Sequence, residues 1–412
     1  MKKFLALALA AAMTLSLAAC GNGGTSTPAG SSTPSGSGSA STGNPNNSDF
    51  LVGAIYITSQ NDTAGYTYQH HHGIVTAMEN LGMDVSTQLK VLDNVAEEYT
   101  QVSNAIDTLA NQGCNIIIGI SFGYLGAMND AAAKEEYSDI IFSHATGYLN
   151  NDTNFNNYFG RIYQARYLAG IAAGMKSLEM GNNAIGYVAA YNTDYAETCS
   201  GINGFALGVQ SVNPDATVYV NTINTWGDES LERQAAESLI DTYHCGVITQ
   251  HCDSAQPQLA AQNAGVFGCG YNSDMTEQAP NAHLTAAIWH WDVYYQLAIE
   301  TAMNEPGNFM EKVGNYYGGL AEGFVDISPL NNICAQGTQD RIDQVRALME
   351  RGEWDVFSGV RLSFDENGNV VKTDADLLDN QGNVIVAAGG PSVEDGVIKG
   401  SMNYNVAGVV AD

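Results

Sequence analysis

Short apolar runs alternate with amphipathic segments along most of the chain. Residues 51–57, 90–95, 115–120 and 140–142 read as buried strands. Between them, residues 68–81, 99–112 and 126–136 carry helical spacing, with Val102, Ile106 and Leu109 on one face and stops at Gly82 and Gly113. The pattern then restarts. Helices are predicted over 164–178, 200–212, 229–243 and 256–264, and strands over 183–190, 216–221, 246–249, 266–271 and 284–288. Strands alternating with helices imply parallel sheets covered on both faces. Two such arrays, joined near residues 150–163, predict an α/β protein of two doubly wound lobes joined by a hinge, with strand carboxyl ends facing one cleft.

The rest of the chain qualifies this picture. Residues 289–303 read as a helix returning to the first lobe, and residues 324–327 as a further crossing. Residues 357–412 carry short β-like pieces with turns at Asp365–Gly368 and Asp379–Gly382, an appendage on the lobes. The predicted division is first lobe 49–158, second lobe 159–288, return to the first lobe 289–325, and final crossing with the appendage 326–412.

The first nineteen residues have the layout of a secretory leader: Lys2 and Lys3, an apolar stretch, then Leu17-Ala18-Ala19 before Cys20. The position of Cys20 is that of a lipidated cysteine, which becomes the new N-terminus and an anchor on the extracytoplasmic face of the cell membrane. Residues 20–48 are otherwise almost wholly Gly, Ser, Thr, Pro, Asn and Ala, a tether with a reach of about 30 Å.

Charge excludes two classes of partner. The 412 residues hold 44 Asp and Glu against 15 Lys and Arg, a net charge of −29, which argues against nucleic acid and against a polybasic membrane patch. Beyond Cys20 stand Cys114, Cys199, Cys245, Cys252, Cys269 and Cys334, an even set that permits disulfides outside the cytoplasm. Their apolar neighbours favour buried free thiols, and no zinc-ligand spacing is present.

Candidate chemistry gathers where strands end. Asn61, Asp62, Tyr66 and Tyr68 follow the first strand, and Phe122 the third. In the second array Trp226, Gln250, Asp253, Asn272, Asp274 and Trp291 hold equivalent places. An aromatic from each lobe closing on a flat ring, with amides and a carboxylate at its edge, makes a coherent ligand site. Asp274 is the candidate specificity residue. No nucleophile elbow, HExxH or Walker loop occurs, so the chain reads as a binding protein and not an enzyme, with no cofactor. His70-His71-His72 reads as a solvated helix face, since adjacent helical residues diverge and chelate a metal poorly.

The ordered motifs Gly65-Tyr-Thr-Tyr-Gln-His70, Ser121-Phe-Gly-Tyr124, His144-Ala-Thr-Gly-Tyr148, Arg166-Tyr-Leu-Ala-Gly170, Gly201-Ile-Asn-Gly-Phe-Ala-Leu-Gly208, Gln250-His-Cys-Asp-Ser254, Ser273-Asp-Met275 and Gly323-Phe-Val-Asp-Ile-Ser-Pro329 resemble the basic membrane protein family of lipoproteins. These are substrate-binding subunits of ABC importers and include the purine nucleoside receptor. The resemblance implies a type I periplasmic-binding-protein fold, a purine base or nucleoside as ligand, an ABC permease and its ATPase subunit as partners, and a monomer. It implies stacking of the base between Tyr66 and Trp226. Nucleoside-binding relatives hold the ribose with a carboxylate where this chain has Asn272, so the resemblance is to the branch taking free bases such as adenine. A riboflavin-type ligand, or a ligand sensor of the same fold, is the alternative.

Overall fold

The computed structural model describes residues 49–62 and 65–411. The leader, Cys20 and the tether lie outside them.

The first array forms a parallel sheet of β1 (Val52–Tyr56), β2 (Leu89–Leu92), β3 (Ile116–Ile120), β4 (Ile141–Ala145) and β5 (Phe155–Gly160). The second forms a sheet of β6 (Ala184–Ala189), β7 (Thr217–Thr222), β8 (Val247–His251), β9 (Phe267–Asn272) and β10 (His283–Trp289). Among the described residues, β11 (Tyr316–Gly318) completes the first sheet in the order β11-β5-β4-β3-β1-β2. The second runs β12-β10-β9-β8-β6-β7-β17, where β12 (Val325–Ile327) is antiparallel to β10 and β17 (Val409–Ala411) is parallel to β7.

Strand periodicity explains the burial on both faces. In β3, Ile116, Ile118 and Ile120 enter one core, while Ile117 packs with Val102, Ile106, Leu109 and Met128 in another. In the second sheet Ile185 and Tyr187 face the helices Ile162–Met180 and Ala196–Val212, whereas Val188 and Ile248 face the other side with Ala236 and Leu239. The two helices touch backbone to backbone. A Cβ added at Gly208 would stand 2.0 Å from the Tyr167 carbonyl, so the Ala- and Gly-rich sequence is a packing requirement.

The chain passes between sheets after β5, after β10 and between β11 and β12. After β10, the helix Trp291–Asn304 lies against the first lobe. Tyr294 shares a hydrogen bond of 2.6 Å with Ser143, and Tyr295 one of 2.7 Å with Tyr158.

Three of the elements that escape the hydrophobic pattern are of note. Strand β5 falls where the sequence reads as a junction, because two of its buried positions are asparagines. Asn156 donates to Gly314 at 2.6 Å and Asn157 to Asn315 at 3.0 Å, partners far along the chain. The others are the helix Thr338–Glu350 and strand β17. The two predicted turns are present. They join β13 (Val360–Phe364) to β14 (Val370–Asp374) and β15 (Leu377–Leu378) to β16 (Val384–Val386). Asp365 and Asp379 each accept two backbone N–H groups inside their own turn. Among the described residues all six cysteines are free thiols, and all but Cys334 are buried.

Candidate functional site

The second lobe supplies the polar half of the site. Strand β8 runs out at His251 into a loop that three contacts hold. Gln250 donates its amide to the carbonyls of Cys252 (3.1 Å) and Ser254 (2.6 Å). Asp253 donates its backbone N–H to the Trp226 carbonyl at 2.9 Å. Ser254 donates its N–H to buried Glu232 at 3.1 Å. Glu232 also accepts the backbone N–H of Asp228, the residue that caps the helix Glu229–Tyr243. The helix cap, the Trp226 segment and the Asp253 loop therefore form one unit.

Asn272 ends β9 in the left-handed region at φ 67° and is buried. It donates Nδ2 to Asp253 Oδ1 at 2.9 Å, and its own Oδ1 is buried with no hydrogen-bond partner among the described residues. Burial, then the charges of Glu232 and Glu197, push the Asp253 carboxyl up to about 7 against the pull of Asn272.

The first lobe meets this group directly. Gly65, at φ 85°, opens the helix Gly65–Asn80, and a Cβ there would lie 3.2 Å from the Asp253 carbonyl. Tyr66 follows, its hydroxyl buried and without a hydrogen-bond partner among the described residues. Burial first, then Tyr158 of its own lobe and Tyr271, Tyr195 and Glu197 of the other, hold that phenol protonated. Trp226 borders the same group, 5.6 Å from Tyr195 and 6.0 Å from His251 between ring centroids. Phe122, 44 % exposed, stands 6.3 Å from Tyr195 across the lobes.

A charged network beneath this surface is absent from the sequence reading. Fully buried Arg166 donates to the Gln250 carbonyl at 2.5 Å and covers the Tyr271 ring at 4.0 Å. His251 contacts Glu197 at 2.8 Å and Tyr187 at 3.2 Å. Burial and Arg166 lower His251 to about 4, so it is neutral and donates Nε2–H to the carboxylate. Arg166 and His251 lie inside the motifs Arg166–Gly170 and Gln250–Ser254, and an arginine among the apolar and small residues of the first turns of the helix is the signal that could have singled out Arg166.

Trp291, Tyr68, Asp274 and Gln250 are engaged in contacts within the protein. Trp291 has both faces covered, stacked on His70 at 3.8 Å and on Trp289 at 4.5 Å, which leaves no face for a ligand ring. Tyr68 turns to His72 on the opposite side of its helix from Tyr66 and His70. Two residues along a helix are about 200° apart, so the sequence already separates the two tyrosines. Asp274 is exposed and turned to its own loop, accepting Thr276 N–H at 2.9 Å and lying 3.4 Å from His283. The polar group beside Tyr66 is thus built on Asp253, not Asp274. Gln250 holds the loop. Asn61 is exposed, its N–H donated to Ser59 at 3.1 Å.

The three histidines do not make a solvated face. His70 is buried against Tyr295 at 2.5 Å, His71 meets the Tyr56 hydroxyl at 3.0 Å, and only His72 is exposed, beside Thr76. Among the described residues no cluster of three His, Cys, Asp or Glu side chains could hold a metal ion.

Two parallel sheets, three crossings and unpartnered polar atoms where the lobes meet define a hinged α/β solute-binding protein. Residues 50–352 match the family described as ABC transporter substrate-binding protein PnrA-like, and the chain belongs to that family. It is 35 % identical over 308 residues, 75 % of this chain and 83 % of the relative, to a purine-binding protein of Brucella abortus. It is 35 % identical over 273 residues, 65 % of this chain and 66 % of the relative, to a putative ABC transporter glucose-binding protein of Haloferax volcanii. Among solved structures, an ABC transporter solute-binding protein from Conexibacter woesei superposes with a TM-score of 0.58 at 17 % identity, over 74 % of this chain and 98 % of its own, a likeness of fold. The protein is therefore an extracytoplasmic solute-binding component of an ABC transporter and not an enzyme. No helix among the described residues is long and apolar enough to cross a membrane.

Proposed function

We propose that the solute is a purine, taken as a free base such as adenine in preference to a nucleoside. The base lies between the rings of Tyr66 and Trp226, with its edge on Asp253 and Asn272. Phe122 and Asn61 line the rim. Ligand contacts with both lobes favour the closed form, which docks on the permease and its ATPase subunit from a lipid anchor at Cys20. The observation that carries this reading is the Asn272–Asp253 pair, which leaves Asn272 Oδ1 buried without a partner beside the lobe contact where Gly65 meets Asp253. An amide oxygen there takes a ring N–H or an exocyclic amine. The purine-binding relative supports the same ligand class.

Titration calorimetry on the mature chain, stripped of ligand by unfolding and refolding, tests this. Tight adenine binding with weak adenosine binding supports the free-base reading. Tight adenosine binding moves the proposal to nucleosides. Binding of D-glucose or riboflavin with neither purine overturns it.

A further inference from the structure

The Asn272 amide is not free to choose its orientation. An ionised carboxylate only accepts hydrogen bonds, so Asn272 must turn Nδ2 to Asp253 and present Oδ1 away from it. A protonated carboxyl donates instead. It takes Asn272 Oδ1 as its partner, and the amide then presents Nδ2–H. The backbone at φ 67° and the burial of Asn272 hold the side chain in place, so the amide changes face only by rotating about its last bond.

We infer that the Asp253–Asn272 pair is a proton-controlled selector: with Asp253 ionised the site prefers a purine with a 6-amino donor, and with Asp253 protonated one with a 6-oxo acceptor. The inference rests on the purine reading above.

The surroundings of Asp253 favour titration near neutrality. Glu232, on the helix Glu229–Tyr243, and Glu197, at the start of the helix Ala196–Val212, both oppose its charge. Tyr271 on β9 and the Cys252 thiol are neutral neighbours, each pushed well up by burial. From the first lobe the approach is made by Gly65, which carries no charge. The cation Arg166 is engaged over the Tyr271 ring and with the Gln250 carbonyl. Together these place the carboxyl at about 7.

Adenine and hypoxanthine differ at the 6-position and are both neutral through the relevant window. Their dissociation constants should be measured by calorimetry on the mature chain at about pH 6 and about pH 8. Adenine should bind about tenfold more tightly at the higher pH, and hypoxanthine about tenfold more tightly at the lower, because each binds only the competent fraction. In Asp253→Asn the ratio of the two constants should no longer change with pH. Should that variant fail to fold, Asp253→Ser, which likewise removes the titrating carboxyl, should give the same flat ratio. A ratio independent of pH in the parent protein, with both bases bound, overturns the selector and leaves the purine reading standing. Failure of both bases at both pH values overturns the purine reading and the selector with it.

Discussion

The aromatic block beside the hinge and the polar rim of the second lobe are both buried, both rich in hydrogen bonds, and built on opposite rules. In the block, rings lie face to face: His70 on Trp291 on Trp289, and Tyr158 on Tyr294 at 4.0 Å. Its hydroxyls are satisfied among themselves, Tyr295 with Tyr158 and Tyr294 with Ser143. In the rim, charges are buried: Glu232 and Arg166 almost completely, with Asp253 and Glu197 beside them. Among the described residues its Tyr66 Oη, Asn272 Oδ1, Gln250 Oε1 and two Arg166 nitrogens have no hydrogen-bond partner, and in the block neither do His70 Nε2 and the indole N–H groups of Trp289 and Trp291. A region whose ring faces are covered resists change, whereas one that buries charge beside the partly exposed Trp226 has interactions left to make. The block closes its ring faces on itself, and the rim holds the buried charge.

The largest effect should separate the two. Trp291→Ala removes a ring covered on both faces and should lower the unfolding free energy by about 3–5 kcal/mol. A urea titration reads this. A variant as stable as the parent that has lost ligand binding would return Trp291 to the site and break the distinction. Trp226→Ala should do the reverse. Trp226 is only partly buried, against Tyr191, Tyr195 and His251. Its loss should cost about 1–2 kcal/mol of adenine affinity, roughly five- to thirtyfold, with little change in stability. Unchanged affinity by calorimetry would remove the stacking arrangement.

Acid should act on the buried titratable groups with opposite signs. Burial, then Arg166, lowers His251 to about 4, and burial lowers His144 to about 4 and His70 well below its ordinary value. These imidazoles are neutral when folded and take up protons on unfolding, so stability falls as pH drops from about 6.5 towards about 4. Asp253 runs the other way. Its folded carboxyl, at about 7, binds a proton that the unfolded chain releases down to 3.8, so it adds stability over that fall. Three imidazoles outweigh one carboxyl, and a net loss of stability is expected across the window. Asp253→Asn should steepen the loss. A shallower fall in that variant, followed by thermal melts, would show that Asp253 is not the opposing group.

The two regions were unequally legible. Period and turn chemistry carried the strands β1 to β4 and β6 to β10, because buried parallel strands are apolar runs bounded by polar residues. Strand β5 and the network of Arg166, Glu197 and His251 were not legible, because both are polar and satisfied by partners distant in sequence. Strand ends drew attention to Tyr66, Trp226, Asp253 and Asn272, yet gave no means of telling Asp253 from Asp274. Asp274 is turned to Thr276 and His283, contacts that only the fold can assign. Trp291 shows the same gap. Its place one residue beyond the β10–His290 junction marks it as close to the cleft, and one of the two rings that fill its faces, His70, comes from a helix more than two hundred residues earlier.

The smallest effect concerns the chain beyond residue 352, where the family match ends. Arg161 directly follows β5, at the point where the chain leaves the first sheet. Its guanidinium donates to both carboxylate oxygens of Asp395, at 3.1 and 2.5 Å, and to the Tyr317 carbonyl at 2.7 Å. Asp395 opens the helix Asp395–Gly400, so this pair joins the C-terminal segment to a crossing between the sheets. Its side chains are 25 % and 39 % exposed, and water screens much of the attraction. Asp395→Asn should therefore cost about 0–1 kcal/mol, and the difference from the parent should vanish at about 1 M salt, where screening acts within a few ångströms. Paired denaturant titrations at low and high salt measure it. A loss of several kcal/mol that survives high salt would mean that the pair behaves like the buried charges of the rim, and that the crossing belongs with that region and not with the aromatic block.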